Sequence, residues 1–80
     1  MTHPYRLIRR RRVTGRDGIE AADVRLLANG RGFRVDVWTP AGQRNGGDWR
    51  PLVRKLAEDL AEAEAIFAAQ VETQEWRAPR

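Results

Sequence analysis

Two alternating runs separated by Asn29-Gly30-Arg31-Gly32 constrain this chain more than any other feature. In residues 23–28, Val24, Leu26 and Ala28 alternate with Asp23, Arg25 and Leu27. In residues 33–39, Phe33, Val35, Val37 and Thr39 alternate with Arg34, Asp36 and Trp38. A period of two is that of a half-buried strand, and Asn-Gly signals a tight hairpin because it tolerates positive φ. Centring the turn on Gly30 and Arg31 opposes Val24 to Val37, Leu26 to Val35 and Ala28 to Phe33 on one face. The other face opposes Arg25 to Asp36, Leu27 to Arg34 and Asp23 to Trp38. The first set is wholly apolar and Arg25–Asp36 is a favourable cross-strand pair. A slip of one residue would lose both matches.

The flanks are less regular. Residues 5–13 predict a further strand in which Tyr5 and Leu7 share a face with Val13, interrupted by Arg9 and Arg11, while Ile8 lies opposite. Arg9, Arg10, Arg11 and Arg12 cannot cross a core without burying charge, so this strand is expected at a sheet edge, overhanging the core or bulged. Charged edges also discourage edge-to-edge aggregation. Residues 14–18 read as a turn, and residues 19–22 as a bulge, a helical turn or the start of the second strand. After Pro40 comes the glycine-rich segment 42–47. Asp48 is then a candidate N-cap, with Pro51 tolerable in a first helical turn. Trp49, Leu52, Val53, Leu56, Leu60, Ala63, Phe67 and Val71 recur at spacings of three and four, the stripe of an amphipathic helix. Arg54 with Glu58 and Lys55 with Asp59 would form i,i+4 pairs on it. Trp76 points away from the stripe, so the helix is expected to end near residues 71–74.

The expected fold is therefore α+β: a three-stranded antiparallel sheet covered on one face by a long C-terminal helix, βββα. The chain reads as a single small domain over residues 1–80, with flexible ends at about 1–4 and 75–80. Leu52, Leu56, Leu60 and Phe67 would cover the hairpin's apolar face. One helix cannot cover both faces of a sheet, and the second stays open to water or a partner.

Composition narrows the function. Cysteine and serine are absent and His3 is the only histidine, which leaves neither a zinc ligand set nor an activated Ser or Cys nucleophile. Asp17, Glu20 and Asp23 could converge on a hard cation only if their segment were helical. The glycine-containing stretches at 14–18 and 42–47 match no phosphate-loop or dinucleotide fingerprint. An 80-residue chain also has little interior for a deep dry pocket. No apolar run is long enough to span a bilayer, and the arginines at 9–12 come before any signal-peptide core could form. The expectation is a chain that is no enzyme, holds no cofactor or metal and has no membrane contact.

Charge marks the surface. Residues 1–55 hold 13 basic against five acidic side chains, and residues 56–80 hold two against six, within an overall net charge of +4. All but Lys55 of the basic residues are arginine, whose planar fork makes bidentate contacts with phosphate or carboxylate. Candidate partner-binding residues are Arg9, Arg10, Arg11 and Arg12 on the first strand, and Arg25, Arg34 and Trp38 on the open hairpin face. Arg50 and Arg54 join them at the start of the expected helix, where cations oppose the helix dipole. Arginines around an aromatic on a sheet suit single-stranded nucleic acid and equally a protein partner.

Two layouts of known proteins resemble this one. The hairpin strand Gly32-Phe33-Arg34-Val35-Asp36-Val37, then Thr39-Pro40-Ala41-Gly42 and a helix from about Asp48, resembles the HicB-type antitoxins over residues 24–66. In its length, sheet-plus-helix layout and lack of catalytic equipment, the whole chain resembles small phage-encoded anti-CRISPR proteins acting on type I, Cascade-directed surveillance complexes. That second resemblance implies a monomeric inhibitor in the bacterial cytoplasm. It would bind a protein subunit of a CRISPR effector complex through the arginine-rich surface and block target-DNA binding. Direct binding to DNA or RNA by the same residues is the rival expectation.

Overall fold

The structure, a computed structural model, describes residues 4–40 and 49–78. Four strands, β1 (Arg6–Thr14), β2 (Glu20–Ala28), β3 (Phe33–Pro40) and β4 (Trp49–Ala57), precede one helix, α1 (Leu60–Arg77). The strands form an antiparallel meander in the order β1-β2-β3-β4. The α+β layout is as the sequence predicts, but with four strands where three were expected.

The central hairpin has the predicted register at every pair, from Asp23 opposite Trp38 to Ala28 opposite Phe33. Its turn is closed by Asn29, whose Oδ1 accepts from the amides of Arg31 and Gly32 at 3.0 and 3.1 Å. Gly30 takes φ +86° there, a conformation that glycine adopts without steric cost. The turn between β1 and β2 likewise places Gly18 at φ +81°, with Asp17 Oδ1 accepting from the Ile19 amide at 3.0 Å.

The expected helix from residue 49 does not form: Trp49–Ala57 is the edge strand β4, paired along β3. Helical spacing there is outweighed by the outer edge of β3, whose buried backbone groups need partners. Pro51, which cannot donate to a ladder, sits beside a bulge on this edge strand, a position that tolerates it. Leu52, Leu56 and Leu60, expected in the core, are instead exposed. The Arg54–Glu58 and Lys55–Asp59 pairs lose their helical spacing, and the dipole mismatch assigned to Arg50 and Arg54 has no helix to act on. Asp48 and the 42–47 segment lie outside the described residues.

The helix starts instead at Leu60, behind a side-chain N-cap. Asp59 is its N-cap, accepting from the Glu62 amide at 2.8 Å, while the Glu62 carboxylate reaches back to the Glu58 amide at 3.5 Å. The Asp59 side chain thereby satisfies a first-turn donor that has no partner within the helix. The helix continues past residues 71–74 to Arg77, so residues 75–77 extend the helix rather than the tail. Ala63 and Phe67 pack on Val13, Ala22, Val24, Leu26, Val35, Val37 and Ala57 of the sheet, with Phe33, Val53, Ile66 and Val71 around the margin. No helix among the described residues is long and apolar enough to cross a membrane.

Candidate functional site

A bulge at Ile8 decides which residues of β1 share a face. Leu7 opposes Leu27, but Arg9 opposes Leu26, leaving Ile8 as the extra residue. The shift puts Leu7 on the uncovered side, away from Val13, while Arg9 and Arg11 keep the face of Val13, as the sequence predicts, and lie towards the helix. Arg9 lies 3.5 Å from Glu64 and 6.0 Å from the Phe67 ring centroid, and Arg11 lies 3.6 Å from Glu75. Arg50 opposes Thr39, which alternation places on the helix side of the sheet. These three candidates are therefore separated from the rest.

The other six candidates come together on the uncovered face. One row across the sheet reads Arg10, Arg25, Asp36, Arg54, and the next reads Arg12, Asp23, Trp38, Pro51. Asp23 and Asp36 lie at the centre, each with a side chain only 1% exposed. Such burial is tolerated only when the charge is paired and hydrogen-bonded. Arg10 Nε donates to both oxygens of Asp23 at 3.0 Å, and Arg25 donates to Oδ2 from Nε at 3.1 Å and Nη2 at 2.9 Å. Arg12 Nε stands 4.0 Å from the same carboxylate, while its Nη1 donates to Glu20 at 2.6 Å. At Asp36, Arg34 Nη2 donates to Oδ2 at 2.9 Å and Arg54 Nε lies 3.8 Å away. Arg34 Nε is 2.9 Å from Asp36 Oδ1 but out of line for a hydrogen bond, so that contact is an ion pair.

Both aspartates thus sit in the same kind of cluster. Each is held by an arginine two residues away on its own strand and by another from an edge strand. Burial alone would raise the Asp23 carboxyl. The hydrogen bonds from Arg10 and Arg25 outweigh it and hold the group below its ordinary value. The guanidiniums also lie against the aromatics: Arg25 and Arg54 are 5.1 and 5.8 Å from the Trp38 ring centroid, and Arg34 is 4.3 Å from that of Tyr5.

Most of the candidate arginines are therefore not free charges but members of internal ion pairs. Pairing is incomplete on the uncovered face: five guanidiniums share Asp23 and Asp36, a surplus of three positive charges, or two when Glu20 is included. The guanidiniums stay accessible above the buried carboxylates, with Arg12 and Arg54 about half exposed.

Sequence reading treated Asp36 as a cross-strand neighbour and Asp23 as that or a conditional cation ligand, and placed Tyr5 on the wrong face. Aspartate is depleted from strands, so two of them at the middle of well-patterned strands were the available signal. Glu20 and Asp23 lie on a strand and Asp17 in the preceding turn, so the helical condition for a cation site at these residues is not met. No protein family, curated protein or solved structure matches this chain.

Proposed function

We propose that this domain is a non-catalytic binder of single-stranded nucleic acid, holding the strand across the uncovered face of its sheet. The observation that supports this most is the positive surplus over Asp23 and Asp36. The buried carboxylates fix the inner nitrogens of Arg10, Arg25 and Arg34, leaving outward donors for phosphate oxygens, which arginine grips well. Cores of protein–protein interfaces are enriched in arginine but depleted in aspartate, whereas the centre of this face holds Asp23 and Asp36 beneath its arginines. The face spans four strands, about 14 Å between the outer two. That suits one sugar–phosphate strand, and among the described residues no element of it projects to enter a duplex groove.

The test is a salt titration with labelled single-stranded and duplex oligonucleotides. A surplus of two to three charges predicts log K against log salt with a slope of about −1.5 to −2 on single strands. No measurable binding at roughly 50 mM salt overturns the proposal. A second reading, docking onto a protein subunit of a nucleic-acid machine in the manner of an anti-CRISPR inhibitor, is favoured by one feature. Leu52 and Leu56 are 55% and 71% exposed along β4, and would supply an apolar contact that nucleic acid does not need.

A further inference from the structure

We infer that the arginine cluster grips the strand through its phosphodiester backbone, without base stacking on Trp38 or Tyr5, and that Trp38 is a positioning residue beneath the arginines. This rests on the proposed nucleic-acid reading and narrows its ligand to the backbone, whatever the bases. Single-strand binders commonly combine a basic surface with aromatic rings on which bases stack, and Trp38 is the ring that would serve here. Its surroundings argue otherwise. Trp38 is only partly exposed and its indole nitrogen is buried. Arg25 from β2 and Arg54 from β4 lie over the ring from the strands on either side. Each is also tied to a buried carboxylate, Arg25 to Asp23 at 2.9 Å and Arg54 to Asp36 at 3.8 Å.

A base could reach the indole only by displacing a guanidinium from both its ring and its carboxylate. Tyr5 is occupied in the same way, with Arg34 at 4.3 Å over its ring and held by Asp36. What the arginine cluster presents to a ligand is guanidinium N–H groups, which match phosphate oxygens; Trp49, opposite Pro40 at the corner of the same face, lies outside that cluster. Phosphate contacts position a nucleic acid without reading its sequence.

The experiment compares labelled oligo-dT, oligo-dA and oligo-dC with an abasic oligonucleotide of the same length, at one salt concentration, on a Trp49→Ala variant that leaves the rings of the cluster as the only aromatics on this face among the described residues. Stacking on an aromatic changes affinity by about fivefold or more per base. Backbone-only contact therefore predicts that all four ligands, the abasic one included, agree within about fivefold. In a Trp49→Phe, Trp76→Phe background, Trp38 emission should keep its intensity when ligand saturates the protein. An abasic ligand weakened by more than about fivefold, or strong quenching of Trp38, overturns the inference while leaving nucleic-acid binding in place. Failure of every oligonucleotide to bind overturns the proposed function itself.

Discussion

Replacing Asp23 by Asn tests whether alignment or mere charge gives the uncovered face its properties. The substitution keeps the shape but removes the charge that Arg10 and Arg25 bond and Arg12 approaches. Hydrogen bonds to a charged group contribute about 1.5–3 kcal/mol. Arg10 and Arg25 are themselves 37% and 32% exposed, so water compensates part of the loss and about 2 kcal/mol is expected. For a domain of this size that corresponds to a fall in Tm of roughly 8–16 °C.

The difference also has a pH signature. Because the folded-state pKa of Asp23 is depressed, its stabilisation is fully present above the unfolded value near 3.9 and is lost as pH falls through the folded one. The stability gap between parent and variant should be constant from about pH 5 to 8 and close below about pH 4.

Binding separates the two explanations. The variant gains one positive charge, from +4 to +5, so a charge-only mechanism predicts tighter association with a single-stranded oligonucleotide. Loss of alignment instead requires Arg10 and Arg25 to be ordered on binding, at about 0.5–1.5 kcal/mol each. Net affinity should then fall about tenfold. Measurement by fluorescence anisotropy at 25 °C, with the folded fraction fixed by circular dichroism, decides between them. A variant that binds as tightly as the parent or more tightly refutes the alignment reasoning, whatever its Tm.

Leu26→Ala, at a site with no exposure, should cost about 2–5 kcal/mol in urea denaturation. Leu56→Ala, at 71% exposure, should change stability by no more than about 0.5 kcal/mol; equal losses would restore Leu56 to the core and contradict β4. Asp59→Ala removes the bond to the Glu62 amide and should cost about 1 kcal/mol. An unchanged denaturation midpoint would place the helix start elsewhere.

The hairpin was legible because everything that fixes it is local. Asn29-Gly30 sets the turn, and the alternation about it leaves one register in which apolar residues and the Arg25–Asp36 pair both match. The four consecutive arginines of β1, Arg9 to Arg12, announced an irregular edge strand, and the bulge at Ile8 is how the chain accommodates them. Alternation from Val13 already put Arg9 and Arg11 on its face; what was not readable is that Tyr5 and Leu7 lie on the other, because one extra residue inverts every side chain on one side of it. The fourth strand was missed for a related reason. Only Ala57 of this edge strand is buried, with Val53 half-buried, so it needs little alternation, and Leu52, Val53 and Leu56 could keep a helical spacing without forming a helix. Asp59, three residues before Glu62, marked the true helix start, yet the apolar stripe pointed further back.

By itself, then, the sequence determined a sheet with one apolar and one arginine-rich side, because alternation and turn chemistry act between near neighbours. Only tertiary structure decided that β4 completes the sheet, since the demand comes from β3's unpaired backbone edge. It also decided that Asp23 and Asp36 are buried beneath the arginines. Their burial depends on side chains converging from β1 and β4, strands on opposite edges of the sheet.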